Sequence, residues 1–142
     1  GGAVIQGEGS TGGYTALFAR RTSAIVSWAC GEGGRRYLTL NLPGRVEGPE
    51  VAVRMRVDGG DWESRGRWRV QTGPTDAVVA PEEHQESLTR SAVGGRALDV
   101  VLTADSGAMQ AHGFDVEGLG DALAERPCWA AVADAPRRVP PD

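Results

Sequence analysis

The sequence predicts a mainly β protein, a single antiparallel β-sandwich or partly open barrel with two short helices. Short segments of alternating or β-branched apolar residues recur along the 142-residue chain. The connections between them are short and rich in glycine, proline and aspartate, which suit hairpins better than the long crossovers of a parallel sheet. A hydrophobic content of 40% at this length predicts one domain with one core.

The pattern predicts eight strands between two glycine- or proline-rich ends. Residues 1–13 are interpreted as a flexible N-terminal segment, residues 14–130 as the β-domain, and residues 131–142 as a Pro-rich tail. The predicted strands lie at residues 14–20, 23–30, 36–42, 51–57, 64–71, 76–80, 97–104 and 109–116.

Two short helices are predicted among the strands. The first follows Pro81, a residue suited to the first helical position, and Gly94 is placed to end it. The second begins at residue 115 or 117 and ends at Glu125, with apolar residues at helical spacing and Asp115 as its N-cap.

The two cysteines predict a covalent link between distant parts of the chain. Cys30 ends a strand and Cys128 follows the second helix, and each is next to a tryptophan that can cover it. A disulfide between them would close a long loop and raise the free energy of unfolding by about 4 to 5 kcal/mol in the chain-entropy model. The alternative is a pair of buried thiols in a cytosolic protein. We favour the disulfide, which implies an oxidising compartment and hence a periplasmic or secreted protein.

The segment "VRMRVDGGDWESRGRWRV" predicts a hairpin with an arginine-bearing face. A two-residue turn at Gly59 and Gly60 would place the valines, Met55 and two tryptophans on one side. Like charges opposite one another cost stability, so the other side either meets carboxylates from the 19 acidic residues or serves an anionic partner. The candidate binding face consists of Arg54, Arg65, Arg67 and Arg69.

Catalytic and metal-binding signals are weak. His84 lies on the first predicted helix, where a packed or half-exposed role is expected. A small hydrolase centred on His112 and Asp115 stays as an alternative, although no nucleophile is near them in sequence. The chain contains neither CxxC nor HExxH spacing, so no metal, cofactor or catalytic residue is assigned.

Charge and aromatic content narrow the partners. A net charge of −4 and a pI of about 5.2 argue against nucleic acid as a binding partner. No apolar run reaches the roughly 20 residues of a transmembrane helix. The four tryptophans suit core packing, or a carbohydrate or peptide platform if two of them are exposed on one face.

The order of motifs resembles a known group of exported proteins. A strand ending in Cys30 is followed by the arginine hairpin, a short helix, the strand "LDVVL" and finally "FDVEGLGDALAERPCW". This pattern is similar to small accessory proteins associated with bacterial type VI secretion, and to related periplasmic proteins. Their C-terminal signature has the form F-D-[LV]-x-G-L-x-x-A-L followed by Cys. The resemblance implies a non-enzymatic periplasmic β-sandwich and transfers no catalytic residue.

The function expected from the sequence is therefore binding rather than catalysis. We expect an exported accessory module that contacts a protein partner in an envelope or secretion-linked assembly, through an edge strand or the arginine face. An anionic-ligand or glycan-binding domain that uses the arginine hairpin is the main alternative. A structural surface component, which would form a homo-oligomer, is a further one.

Overall fold

The computed structural model describes residues 4–7 and 13–134. It contains all eight strands predicted from the sequence and one more at the N-terminal end. The strands are β1 Val4–Gly7, β2 Tyr14–Phe18, β3 Ile25–Cys30, β4 Arg36–Asn41, β5 Glu50–Val57, β6 Glu63–Gln71, β7 Ala77–Val79, β8 Ala97–Thr103 and β9 Met109–Asp115.

All nine strands belong to one sheet. Their order is β1-β2-β3-β4-β7-β6-β5-β8-β9, and each neighbouring pair is antiparallel. The sheet curls until β9 returns to the end of β2, where the Arg20 N–H donates to the Gly113 carbonyl oxygen at 2.8 Å. We call this meeting point the seam. The described chain is thus a partly open antiparallel barrel, which confirms the predicted fold class.

Strand β1 lies in the segment for which the sequence predicts flexibility. Val4–Gly7 instead pairs with residues 14–17 of β2. A strand of four residues is too short to show a clear alternating pattern, and its backbone groups are satisfied by pairing with an existing strand. Residues 1–3 and 8–12 lie outside the described residues.

Residues 13–134 contain three α-helices where the sequence predicts two. They are α1 Glu82–Val93, α2 Leu119–Ala124 and α3 Ala130–Asp134, and a short 3-10 turn covers Glu32–Gly34. Helix α3 has only five residues, too few to show a helical period, and it extends into the region interpreted as a tail. Residues 135–142 of that predicted tail lie outside the described residues.

Helix α2 begins later than predicted. Its N-cap is Gly118, with φ 82°, whereas Asp115 is the last residue of β9. The Asp115 carboxylate accepts the Glu117 N–H at 3.1 Å and so belongs to the turn before the helix. A glycine adopts this left-handed conformation without a steric penalty, which allows the chain to turn sharply from the strand into the helix.

Three of the four tryptophans are fully buried in the barrel core, as the core-packing interpretation of the sequence expects, and the alternative of two exposed tryptophans on one face is not met. These are Trp28, Trp68 and Trp129. The Trp28 Nε1–H donates to the Thr89 hydroxyl at 2.9 Å, which ties α1 to β3. Only Trp62 is substantially exposed, at 38%. Apolar burial therefore decided the position of the other three.

The predicted disulfide is present. The sulfurs of Cys30 and Cys128 are 2.00 Å apart, and they join the end of β3 to the loop between α2 and α3. Beside them the Trp129 Nε1–H donates to the Ala29 carbonyl oxygen at 3.2 Å. Among the described helices, none has the length and apolar character needed to cross a membrane.

Candidate functional site

The β5–β6 turn contains one more residue than predicted. Met55 pairs with Glu63, which leaves residues 58–60 as a three-residue turn after Val57. Asp58 has a φ of 53°. Its carboxylate accepts the backbone N–H groups of Arg96 and Ala97, where β8 begins, both at 2.9 Å. These two backbone hydrogen bonds hold the pKa of Asp58 below its usual value.

A β-bulge further along the hairpin restores the predicted register. Above it Arg54 pairs with Ser64, and below it Ala52 pairs with Arg67. The extra residue lies at Arg65 and Gly66, and Gly66 has a φ of 82°. Bulges of this kind commonly contain a glycine in the left-handed region. The predicted pairings are therefore correct beyond the bulge and wrong between the bulge and the turn.

The bulge moves Arg65 away from the other predicted arginines. Its side chain is only 13% exposed and lies beneath α1, where Nη2 contacts the Glu63 carboxylate at 2.8 Å and the Ser91 hydroxyl at 3.3 Å. Arg54, its predicted neighbour, stays exposed on the outer face of the sheet. Arg65 therefore serves the packing of α1 against the sheet.

The remaining arginines of the predicted face have different environments. Arg67 bridges the carboxylates of Glu50 and Asp105, at 3.2 and 3.1 Å, and these contacts raise its pKa. Arg69 lies opposite Glu50 and Val79, and within the described residues it has no ion-pair partner. Arg54, Arg65, Arg67 and Arg69 therefore do not form one stripe.

A groove of about 430 Å³ lies on the outer face of β5, β8 and β9, beside the turn between β2 and β3. We call it the tryptophan groove. Val101, Ala111 and Gly113 form part of its lining on the sheet. Its polar and aromatic lining includes Arg20, Arg21, Arg56, Trp62 and Asp99.

Charged side chains hold the rim of the tryptophan groove in place. Asp99 accepts hydrogen bonds from Arg20 at 3.1 Å and from Arg56 at 3.0 Å. Arg56 also lies over Trp62, with its guanidinium carbon 4.6 Å from the ring centroid, and Arg54 approaches the same ring at 5.8 Å. Cation–π contacts of this length are attractive. The exposed tryptophan ring is therefore contacted by two arginines.

The groove carries an excess of positive charge. Three arginines and one aspartate line it. Because Asp99 is shared by Arg20 and Arg56, it neutralises only part of their charge. Arg21 has no ion-pair partner in the part of the chain that the structure describes, and the same holds for Arg54 beside the groove. Such a surface favours carboxylate groups of a partner.

His112 lines the groove at the seam but does not meet Asp115. The two residues are three apart on β9 and therefore point to opposite faces of the sheet. His112 is 6% exposed, its Nδ1 lies 2.8 Å from the Thr22 hydroxyl and its Nε2 3.2 Å from the Gln110 side-chain oxygen. Burial lowers the pKa of His112. The His112–Asp115 pair on which the hydrolase alternative depends is therefore not assembled.

His84 has a structural contact on α1. It is half-buried, and its ring occupies the space above Gly66, where an added Cβ would lie 2.6 Å from its Nε2. The ring therefore packs on the bulge, in agreement with the packed role expected from the sequence. This contact also explains why the bulge position suits a residue without a side chain.

Most of the groove was not foreseen from the sequence. The two-residue turn predicted from the sequence puts Trp62 on the apolar face; with three residues in the turn it falls opposite Arg56 on the outer face. Arg20 and Arg21 lie at the end of a predicted strand, where two successive arginines are a signal for an exposed turn. Asp99 interrupts an apolar strand, and this was the clearest available signal of a polar partner.

Comparison with solved structures supports the fold. The crystal structure of invasion associated protein B from Bartonella henselae is 15% identical, and the match covers 84% of this chain and 87% of that chain with a TM-score of 0.54. At this identity the similarity establishes the fold alone. No protein-family model matches the chain, and no curated protein matches it. The fold and the groove together define a disulfide-linked β-barrel domain with a cationic surface groove.

Proposed function

We propose that this protein is an exported, non-enzymatic binding module that recognises an acidic, extended segment of a partner protein in an envelope or secretion-linked assembly. The observation that carries the proposal is the tryptophan groove, in which an exposed tryptophan lies among arginines that outnumber the single carboxylate. Tryptophan and arginine are the residues most enriched where binding energy concentrates at protein interfaces.

The groove is prepared for binding by its own contacts. The pairing of Arg20 and Arg56 with Asp99 fixes two cations before a partner arrives, so little side-chain freedom is lost on binding. Arg21 and Arg54, which lack such pairing among the described residues, are available to meet carboxylates. Ala111, which is exposed in the groove, offers apolar surface for a side chain of an extended segment.

Export is supported by the disulfide. A bond between Cys30 and Cys128 is formed and kept in oxidising compartments. Alkylation of the protein in intact cells of its source organism, followed by mass spectrometry, is expected to find both cysteines protected until a reductant is added. Two freely alkylated thiols would contradict the exported location while leaving the groove untouched.

A peptide-display selection tests the binding role directly. Disulfide-bonded protein is exposed to a library of random twelve-residue peptides, and we expect enrichment of sequences rich in Asp and Glu with interspersed apolar residues. The selected peptides should bind at least about tenfold more weakly to Trp62→Ala and to the double variant Arg21→Gln, Arg54→Gln. Their affinity should fall as salt is raised, because exposed charges are screened.

The matched control is Arg90→Gln. Arg90 is an exposed arginine on α1 whose partner is Glu86, one helical turn away, and it does not line the groove. Peptide affinity should be unchanged in this variant. A selection without acidic enrichment, or acidic peptides that bind equally to wild type and to the groove variants, would overturn the proposed function.

A further inference from the structure

A second cleft, of about 400 Å³, lies away from the tryptophan groove. It is bounded by the start of β4, by β6, and by the segment that leads from β7 into α1. We call it the tyrosine cleft. The residues that matter for its chemistry are Arg35, Tyr37, Arg67, Arg69, Glu82 and Gln85.

The tyrosine cleft is also rich in positive charge. Four arginines line it, and the carboxylates beside them are Glu50 and Glu82. Glu50 is engaged by Arg67, which leaves Arg69 without an ion-pair partner among the described residues. Arg69 projects from the outer face next to Val79, a small apolar neighbour that provides no counter-charge. An anionic group would complete this arrangement.

Tyr37 provides a fixed aromatic ring at the edge of the cleft. The ring lies against Gly31, where an added Cβ would be 2.5 Å from its Cε2, so only a glycine leaves room for it. A hydrogen bond with the Tyr37 side chain raises the pKa of Arg35. Tyr37 is nevertheless 39% exposed. A held ring that stays exposed suits stacking against a flat apolar surface.

The aromatic surface continues away from the arginines. Tyr14 and Tyr37 pair with Ala29 from opposite sides, so the two tyrosines lie on the same outer face, about 10 Å apart at the usual strand spacing. Tyr14 is 40% exposed. The outer positions between and beside them on β2, β3 and β4 carry no charged side chain; they are Ala16, Phe18, Ile25, Ser27, Thr39 and Asn41.

One buried polar atom points to a ligand with donor groups. Gln85 lines the cleft and is 4% exposed, and its Nε2 donates to the Ala80 carbonyl oxygen at 3.1 Å. Its Oε1 has no hydrogen-bond partner in the described part of the protein. Buried acceptors are normally satisfied, so a hydroxyl donor that reaches this oxygen from the cleft would remove a deficit.

We propose that the tyrosine cleft binds an acidic sugar unit of a glycan chain. The carboxylate would meet Arg69 and Arg35, the C–H face of the sugar ring would stack on Tyr37, and the chain would continue across the uncharged face toward Tyr14. A hexuronic acid carries these three features at once: a negative charge, hydroxyl donors and a flat apolar side. The cleft shares no lining residue with the tryptophan groove, so this proposal does not depend on the protein-binding role.

The test uses isothermal titration of the disulfide-bonded protein with a tetramer of glucuronic acid. We expect binding of the acid, and at least tenfold weaker binding of its neutral methyl ester. Arg69→Gln and Tyr37→Leu should each weaken binding of the acid by about tenfold, the loss expected from one charge-assisted contact or one stacked ring. Tyr37→Phe keeps the ring and should retain most of the affinity.

Controls separate this site from the other groove and from loss of folding. Arg21→Gln and Arg90→Gln should leave the titration unchanged, and each variant must keep the wild-type denaturation midpoint. Equal binding of the acid and the ester would overturn the proposal, as would undiminished binding by Tyr37→Leu. Inorganic phosphate that binds as tightly as the tetramer would show an anion site without sugar recognition and would overturn it as well.

Discussion

The barrel is held together in two different ways at two places. Near Cys30 the sheet is joined to the α2–α3 segment by a disulfide, and Trp129 and Leu123 beside it are fully buried. At the seam, the turn after β2 meets β9 through contacts that include a backbone hydrogen bond from Arg20 to Gly113 and a side-chain contact between Thr22 and His112. We call these places the linked end and the seam.

This difference indicates that the linked end contributes mainly to stability and the seam mainly to recognition. The linked end contains a covalent bond and large buried apolar side chains, and the guanidinium of Arg36 lies over the Trp129 ring, 5.2 Å from its centroid. The seam borders the tryptophan groove, where polar side chains and the exposed Trp62 interrupt the apolar packing. Regions that bind partners are generally drawn from the less stable parts of a fold. We therefore expect disruption at the linked end to affect folding, and disruption at the seam to affect mainly binding.

The largest effect is expected from removing the disulfide. The double variant Cys30→Ser, Cys128→Ser opens a loop of sequence separation 98. In the chain-entropy model the free energy of unfolding falls by about 4 to 5 kcal/mol, because the unfolded chain regains its freedom. Urea denaturation followed by tryptophan fluorescence measures this change.

Reduction provides the matched control for that variant. Dithiothreitol should lower the denaturation midpoint of the wild type toward that of the double variant, and it should leave the double variant unchanged. A wild-type midpoint that does not respond to complete reduction would show that the linked end is held by packing alone, and the contrast with the seam would lose its covalent part.

A pair of apolar truncations compares the packing of the two places. Leu123→Ala at the linked end removes a fully buried side chain of α2 and leaves a cavity, with an expected loss of about 2 to 5 kcal/mol. Val101→Ala, on the groove side of β8, should cost only about 1 to 2 kcal/mol, since the space it vacates opens to water. Thermal and urea denaturation of both variants give the comparison.

Two results would argue against this difference in packing. Equal losses in the two variants would mean that the groove face is packed as tightly as the core. A larger loss for Val101→Ala would reverse the assignment of stability to the linked end.

The sequence carried enough information to predict the barrel and its link. Every strand from β2 to β9 is an alternating or β-branched segment between turn residues, and Gly94 ends α1 as expected. The cysteines were paired correctly because only two exist and each lies beside a tryptophan that the core buries. Strong local patterns and simple counting were sufficient for these features.

The sites could not be predicted because they depend on single residues of register and on distant contacts. Asp58 enters the turn because its carboxylate accepts N–H groups 38 and 39 residues away, and this one extra residue turns Trp62 to the outer face. The bulge at Gly66 then reverses the shift and sends Arg65 beneath α1. Side chains alternate between the two faces of a strand, so an error of one residue in the register moves an arginine to the opposite face.

The smallest effect on stability is expected from the protonation of His112 at the seam. Its ring lies between the Thr22 hydroxyl and the Gln110 side-chain oxygen, an arrangement that suits a neutral ring with its proton on Nε2. Burial lowers the pKa of His112 in the folded protein. Charged groups lining the same groove are Arg20, Arg21, Arg56 and Asp99, and the arginines outnumber the aspartate.

The sign of the pH dependence follows from this lowered pKa. The unfolded histidine takes up a proton near pH 6.5, at about its ordinary pKa, whereas the folded one does so only at lower pH. Stability from the neutral ring is therefore complete above about pH 6.5 and declines as the pH falls toward the folded pKa. Asp58 and Asp76, whose pKa values are lowered by hydrogen bonds from backbone N–H groups, lose their contributions only near pH 4 and below.

Urea denaturation between pH 5 and pH 7 isolates the histidine within that window. His112→Gln should flatten the decline in the free energy of unfolding, since the amide has no proton to gain and still offers a donor and an acceptor to Thr22 and Gln110. His84→Gln, a change at the other histidine of the chain, should keep the decline. If His112→Gln shows the same slope as the wild type, the seam is insensitive to protonation and the decline arises elsewhere. If the slope disappears while the midpoint at pH 7 stays close to wild type, the seam is the place where acid first loosens the barrel.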